Sequence, residues 1–186
     1  MNNNLMMVLC RQNLLDYKSF DEWFNIVKPV LNNEEFLKRK FFLHHKTQSL
    51  YEHSLLVSVI SYKLAVRFHG DRRNCALAGL LHDFYTRAWL YSRGLEKLDE
   101  KYRYNFIGNN GKHSFFKKHG FTHPLSAVNN SLEYFPWLVN KRIINAIATH
   151  MFPLSLFTSY KIPKYKESFI VSLADKIVTF RKLAIF

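Results

Sequence analysis

Apolar residues recur along this chain at the spacing of α-helices rather than at the alternating spacing of β-strands. The clearest case follows Ser49, where His53, Val57 and Ile60 fall on one helical face. Ser49 and Glu52 have the spacing of a capping box, in which each side chain bonds the backbone amide of the other residue, so a helix is predicted to begin there. The same patterns predict helices over residues 21–27, 34–43, 49–68, 72–81, 124–134, 141–150 and 164–186.

Proline and glycine supply the predicted ends of these helices. Pro29 stops the first helix, Gly70 closes the helix that begins at Ser49, and Pro153 ends the helix over 141–150. Pro124 fits the first position of a helix. Residues 92–122 lack a clear period and are predicted to form loops with at most short helices.

The last helix carries a regular series of large apolar side chains, which predicts its buried stripe. The best strand-like run covers residues 154–162 and is short. Since no longer alternating run exists, we expect an all-α fold, a helical bundle with an irregular region around 92–122. The predicted stripe consists of Phe169, Leu173, Ile177 and Phe180.

Composition supports one ordinary folded domain, or a domain with a small helical extension. The chain has 186 residues, of which 48% are hydrophobic and 22% are charged, so it can bury a core and is not of the disordered class. It contains 6 glycines and 5 prolines, fewer than the tight turns of a sandwich or barrel require.

The sequence also indicates a cytoplasmic location. No apolar run reaches the roughly 18–20 residues of a membrane span. The first eleven residues lack the basic region and the small residues of a signal peptide. Cys10 and Cys75 cannot form a disulfide framework, which is consistent with a reducing compartment. We therefore expect no membrane partner.

A formal net charge of +13 points to phosphate-bearing partners. Lysine and arginine total 27 residues against 14 acidic residues, without any block of consecutive charges. A basic surface attracts nucleotides or nucleic acid. A compositional bias with no binding role would produce the same charge, and the sequence leaves both interpretations open.

Histidines and aspartates fall on the inward faces of several predicted helices. His53 lies in the first turn after the capping box, and His82 and Asp83 follow a buried apolar run directly. His150 shares a face with Ile143 and Ile147. Two further residues belong to this set: His123, which precedes Pro124, and Asp175, which lies one turn from Val171 and Val178.

A buried carboxylate without a partner destabilises a fold by roughly several kcal/mol. Any one of these histidines alone fits a hydrogen-bonded core residue. Two inward aspartates and several inward histidines together favour a shared divalent metal ion, because imidazole and carboxylate suit Mn, Fe, Co, Ni or Zn.

In this order the residues resemble the HD superfamily of metal-dependent phosphohydrolases. The resemblance rests on YEHSLLVS around His53, AGLLHDF around His82 and Asp83, and SLADK around Asp175. The segments GFTHP and ATHMFP add His123 and His150 and resemble the binuclear members. Small stand-alone bacterial HD-domain proteins are the most similar group.

The resemblance implies an HD-type metal-binding core over residues 41–186, with residues 1–40 as an N-terminal helical extension. It implies one ion held by His53, His82, Asp83 and Asp175, and a second held by His123, His150 and a bridging Asp83. The expected ions are Mn, Fe, Ni, Co, Zn or Mg. The implied reaction is hydrolysis of a phosphoester by a metal-activated water, with Asp83 as the catalytic residue.

The substrate does not follow from the resemblance. The HDIGK lysine is absent, since Asp83 is followed by Phe84, and the GYP segment of the cyclic-dinucleotide enzymes is absent as well. A nucleotide or another small phosphorylated compound is the expected substrate. The alternatives are a nucleic-acid-binding protein or nuclease, and a catalytically degenerate HD domain.

The candidate substrate-binding residues are His45, Arg87 and Lys176, and Lys112, Lys117 and Lys118 are expected at the rim of the pocket. Four other histidines are expected at the surface: His44, His69, His113 and His119.

Overall fold

The computed structural model describes residues 2–44, 48–85, 119–157 and 162–181. Within these ranges the chain is almost entirely helical, which confirms the all-α prediction. Residues 86–118 are not described, so most of the predicted irregular region lies outside the described residues. The helices are α1 (Asn2–Arg11), α2 (Tyr17–Leu31), α3 (Glu34–Leu37), α4 (Leu50–Arg67), α5 (Arg72–Leu81), α6 (His119–Tyr134), α7 (Lys141–Thr149) and α8 (Lys166–Arg181).

Short elements connect these helices. A 3-10 helix over Lys38–Phe41 follows α3, and another covers Leu154–Phe157. Two strands of two residues each, β1 (Leu43–His44) and β2 (Gln48–Ser49), pair in the antiparallel sense. Among the described residues, no helix combines the length and hydrophobicity required to cross a membrane.

Helix α4 begins with the predicted capping box and forms the centre of the fold. The amide of Glu52 donates to Ser49 Oγ at 3.2 Å, and the amide of Ser49 donates to the Glu52 carboxylate at 2.9 Å. Helices α5 and α8 pack against α4, and α7 packs against both α5 and α8. The capping box therefore fixes the start of the helix around which the others assemble.

The contact between α4 and α5 is unusually close at Gly79. A Cβ atom at this position would lie 2.8 Å from Ser61 Oγ and 3.0 Å from the backbone of Ser58 and Val57. Only glycine lets the two helix backbones approach this far. The end of α5, two residues later at Leu81, is thereby held against α4.

Residues of the first 40 positions share one hydrophobic core with the later helices. Trp23, on α2, is fully buried, and its indole nitrogen donates to Ser58 Oγ at 2.9 Å. The same hydroxyl donates to the carbonyl of Ala76 on α5 at 2.7 Å. The hydrogen bonds join α2, α4 and α5. The division into an extension and a core stays a prediction.

Several predicted boundaries differ from the structure. Helix α2 starts at Tyr17, where Asp16 caps it, and continues through Pro29 to Leu31. Its buried apolar face outweighs the backbone hydrogen bond that a proline in the last turn removes. The predicted helix over 34–43 divides into α3, the 3-10 helix and the start of β1. Helix α6 begins at His119, inside the predicted irregular region, and includes Pro124.

The end of α4 also differs in detail. The helix ends near the predicted position, but the residue with positive φ is His69, at 51°, rather than Gly70. The amide of Gly70 then bonds the carbonyl of Ala65 at 2.9 Å, as in a Schellman turn. A Cβ at Gly70 would lie 2.7 Å from Ile170 Cδ1, so the tip of that side chain would have to move to admit it.

The predicted stripe of α8 is wrong. Phe169, Leu173 and Phe180 are 53%, 43% and 81% exposed, whereas Val171 and Val178 are buried. The small side chains on the buried face, including Ala174, allow α8 to pack closely on α4. The strand-like run also differs, because its first four residues form a 3-10 helix.

Candidate metal centre

The six predicted metal ligands lie at the starts, ends and inner faces of five helices. The ring of His53 is on the first turn of α4, and His82 and Asp83 come directly after α5. His150 occupies the same position after α7. Because helices α4, α5, α7 and α8 pack together, these side chains converge. Five of them, namely His53, His82, Asp83, His123 and His150, are buried, and the Asp175 side chain on α8 is 15% exposed.

One group of ligand atoms joins α4, the end of α5 and α8. The Nε2 atom of His53 lies 3.1 Å from Asp175 Oδ1 and 3.3 Å from His82 Nε2. His82 Nε2 is 3.8 Å from the same Asp175 oxygen. Three ligand atoms from distant parts of the chain therefore face one point.

A second group surrounds the other side of Asp83. Its Oδ1 atom lies 3.2 Å from His123 Nε2 and 3.5 Å from His150 Nε2. The two Nε2 atoms of His123 and His150 are 3.0 Å apart. The Oδ2 atom of Asp83 instead lies 3.5 Å from His82 Nε2. Asp83 thus directs one oxygen toward each group.

The tautomers of two rings follow from backbone hydrogen bonds. His82 Nδ1 lies 2.8 Å from the carbonyl of Gly79, and His150 Nδ1 lies 2.7 Å from the carbonyl of Ile147. A carbonyl only accepts, so each Nδ1 carries the proton and donates it. In a neutral ring, Nε2 is then left with its lone pair directed at the cluster. Such outer hydrogen bonds orient histidine ligands in metal sites.

Burial keeps these rings neutral. It lowers the pKa of His82, and it lowers the pKa of His150 to about 3, assisted by the neighbouring rings of His82 and His123. A neutral imidazole is the form that binds a metal ion.

The aspartates are held ionised. Burial alone would raise the pKa of Asp83, but a proton that enters the cluster is held by a facing imidazole, of His82, His123 or His150, and the resulting positive charge keeps the pKa of the carboxyl well below its usual range. For Asp175, the hydrogen bond from His53 and the nearby rings likewise outweigh burial and lower the pKa.

These residues fit a divalent cation. Among the described residues, none makes a hydrogen bond to the buried Oδ1 atom of Asp83, although two imidazole nitrogens lie within 3.5 Å. Several lone pairs and two carboxylates face one another in a buried space, and a cation is the partner that such donors need. Within the described ranges, ligand atoms lie within 4.8 Å of one another in His53–His82–Asp175, in His82–Asp83–His150 and in His44–His53–Asp83.

The other candidate residues have different outcomes. His45, Arg87, Lys112, Lys117, Lys118 and His113 lie outside the described residues, as do residues 182–186 of the predicted last helix. Lys176 donates to Ser172 Oγ at 2.7 Å within its own helix, and burial lowers its pKa. His69 is exposed, as expected.

His44 lies against the candidate site, a position that the sequence did not predict. The surface prediction for it is wrong: the residue is 9% exposed, and its ring stacks on that of His53 with centroids 3.9 Å apart. It lies on β1, outside any predicted helix, so helical periodicity could not place it. The only available signal was its proximity in sequence to the capping box at Ser49.

Comparison with known families agrees with this geometry. The sequence model of the HD domain family matches residues 50–179, more than half of the chain. The matched segment begins at the first residue of α4 and contains all six predicted ligands. No curated protein and no solved structure matches the chain.

Proposed function

Since the chain belongs to the HD domain family, whose members are generally metal-dependent hydrolases, we propose that it is a metal-dependent phosphohydrolase. The proposed reaction is hydrolysis of a phosphoester in a nucleotide or another small phosphorylated compound. One observation carries the proposal: Asp83 directs Oδ2 toward His82 and Oδ1 toward His123 and His150. A carboxylate between two groups of donors is the arrangement that two-metal hydrolysis uses.

The residues divide into two proposed ligand sets. His53, His82, Asp83 and Asp175 would hold one ion, and Asp83, His123 and His150 would hold the other. Divalent ions in these positions would act as Lewis acids toward phosphoryl oxygens and would lower the pKa of water. The proposed ions are Mn, Fe, Co, Ni, Zn or Mg.

The chain itself supplies orientation and charge. The carbonyls of Gly79 and Ile147 fix the imidazole planes of His82 and His150 through Nδ1, so that Nε2 has one direction. Burial of these rings excludes bulk water, which strengthens electrostatic interactions inside the site. The overall charge of +13 favours anionic substrates over neutral ones.

The proposal is tested with Asp83→Asn, which keeps the side-chain volume and removes the charge. Purified protein is analysed for bound metal and assayed with Mn²⁺ on a panel of nucleotides and small phosphomonoesters. We expect about one to two ions per chain in the wild type, as two ligand sets allow, and a loss of hydrolysis of at least about a thousandfold in the variant.

Asp21→Asn is the matched control, because Asp21 is an exposed aspartate on α2. It should keep both metal content and turnover. If Asp83→Asn still hydrolyses every wild-type substrate, the two-metal proposal is wrong. Full metal occupancy in a wild type without turnover on any phosphoester would support a catalytically degenerate HD domain instead.

The charge of +13 also supports a second candidate, a nuclease or nucleic-acid-binding protein. Binding to a phosphate backbone weakens steeply with salt because counterions are released. Binding measured between about 50 and 200 mM salt should fall by about a thousandfold or more for a nucleic acid that contacts many basic residues. A small phosphoester with few charges should show a far smaller dependence.

A further inference from the structure

His44 lies against the proposed metal centre but outside the segment that matches the family. Its ring is stacked on the ring of His53, with centroids 3.9 Å apart and planes inclined by 29°. The family match begins at residue 50, six positions later. No assignment made from the family pattern therefore includes this histidine.

Backbone hydrogen bonds fix His44 relative to His53. His44 pairs with Gln48, and Leu43 pairs with Ser49, across the two strands. The amide of Leu50 then donates to the carbonyl of Phe42 at 2.7 Å. Because Ser49 is also the N-cap of α4, the strand that carries His44 and the helical turn that carries His53 share one anchor.

We propose that His44, together with His53 and Asp83, forms a third ligand group of this centre, so that His44 is a metal ligand. The proposal rests on the proposed function of the same site. One ligand atom from each of the three residues lies within 4.8 Å of the other two, and all three residues are buried. Two imidazole nitrogens and a carboxylate oxygen suit Mn, Fe, Co, Ni or Zn.

With the group of His44, His53 and Asp83, a segment before α4 also supplies a ligand to the proposed centre. The six proposed ligands inside the matched segment lie in helices or directly after their last residues. His44 adds a donor from a strand pair that precedes α4, next to the bridging carboxylate. The segment before residue 50 therefore contributes to metal binding as well as to the hydrophobic core.

The competing role of His44 is packing, since a stacked ring also covers His53 without binding an ion. His44→Phe separates the two roles, because phenylalanine keeps an aromatic ring and lacks the nitrogens. His44→Gln is the second variant, and it retains a polar side chain if phenylalanine does not fit. His69→Phe is the matched control, since His69 is an exposed histidine.

The experiment measures Co²⁺ binding to metal-free full-length protein by chelator competition, with the visible absorption of the bound ion as a second readout. We expect His44→Phe and His44→Gln to lower the affinity of at least one ion by more than about tenfold, since the loss of a residue that merely orients a ligand already has an effect of that size, and to change the cobalt spectrum. The control should bind as the wild type does. Circular dichroism checks that each variant is folded.

Two outcomes overturn the inference and are distinguishable. If either folded His44 variant has wild-type affinity and spectrum while His53→Ala loses an ion, His44 only packs, and the proposed centre stands. If His53→Ala also binds Co²⁺ with wild-type affinity, the proposed metal centre is wrong, and the inference is wrong with it.

Discussion

The guanidinium of Arg39 donates a hydrogen bond of 2.6 Å to the carbonyl of Tyr85, two residues beyond Asp83. Arg39 is fully buried, pairs with Glu35 Oε1 at 2.9 Å, and lies 4.4 Å above the centroid of the Phe84 ring. Burial lowers the pKa of this guanidinium, while its bonds to Glu35 oppose that effect. Arg39, which precedes the matched segment, thus holds the backbone that follows His82 and Asp83.

We expect Arg39→Met to lower the free energy of unfolding by about 1–3 kcal/mol, because it removes the buried hydrogen bond to the Tyr85 carbonyl and one of the two cations that pair with Glu35, the other being Lys38. Arg39→Lys should not restore the loss, since one ammonium cannot reproduce the planar, multiply bonded guanidinium. Urea unfolding of both variants measures the change. Arg72→Met removes an exposed ion pair with Glu22 and should change stability by less than about 1 kcal/mol. Equal effects at the two positions would contradict the structural role of Arg39.

His150→Ala should leave about one metal ion per chain, with a large loss of turnover. Its Nε2 atom lies on the Oδ1 side of Asp83, away from the group formed by His53 and Asp175. The measurement is metal content by elemental analysis, with His69→Ala as the exposed control. A variant that keeps two ions and full turnover would show that His150 is not a metal ligand and that the second ligand set is misassigned.

Acid should destabilise the metal-free protein from about neutral pH downward. Burial lowers the pKa of His82, and that of His150 to about 3, from an ordinary value of 6.5. The unfolded chain then binds more protons than the folded one, so the stabilisation is complete above pH 6.5 and is lost as the pH falls toward 3. Asp83 and Asp175, whose pKa values are also lowered, extend the loss below their ordinary value of 3.8.

Urea unfolding in the presence of a chelator, at several pH values between about 5 and 8, measures the slope of the free energy of unfolding against pH. His150→Gln should flatten it, because the variant side chain does not titrate. His69→Ala should leave it unchanged. A wild-type stability that rises on acidification across this range would contradict the neutral, buried state of both rings.

Gly79→Ala should destabilise the fold by about 1–3 kcal/mol, although alanine favours helices. The added Cβ would lie 3.0 Å from the backbone of Ser58 and Val57, which cannot rotate away. Gly70→Ala is the informative comparison. There the close atom is the tip of the Ile170 side chain, which can move, so the effect should be smaller. Thermal unfolding of both variants tests the order, and the reverse order would contradict this account of the α4–α5 contact.

Local patterns explain why much of the fold could be predicted. The capping box at Ser49 and Glu52 and the bounds of α5 depend on residues a few positions apart, and both predictions are confirmed. The proposed ligand residues could be selected because the helical period places polar side chains on apolar faces. These side chains converge only because α4, α5, α7 and α8 pack together, and no local pattern in the sequence encodes that packing.

The incorrect predictions involve contacts between distant segments. Large apolar residues suggest the wrong buried face of α8, because close packing on α4 buries smaller side chains, including Val171 and Ala174. His44 reaches the site through strand pairing, which depends on residues on both sides of a turn. Pro29 predicts a helix end, because a short stretch of sequence does not contain the tertiary contacts that keep α2 helical through this residue.

Helices α5 and α7 both end at the cluster, and carbonyls in their last turns accept hydrogen bonds from the rings of His82 and His150. The carboxyl ends of two helix dipoles, together with Asp83 and Asp175, therefore create a local well of negative potential inside a chain of net charge +13. Salt screens the outer positive field more than the buried well. Consequently, the association of metal cations should accelerate with ionic strength, whereas the association of anionic substrates should slow.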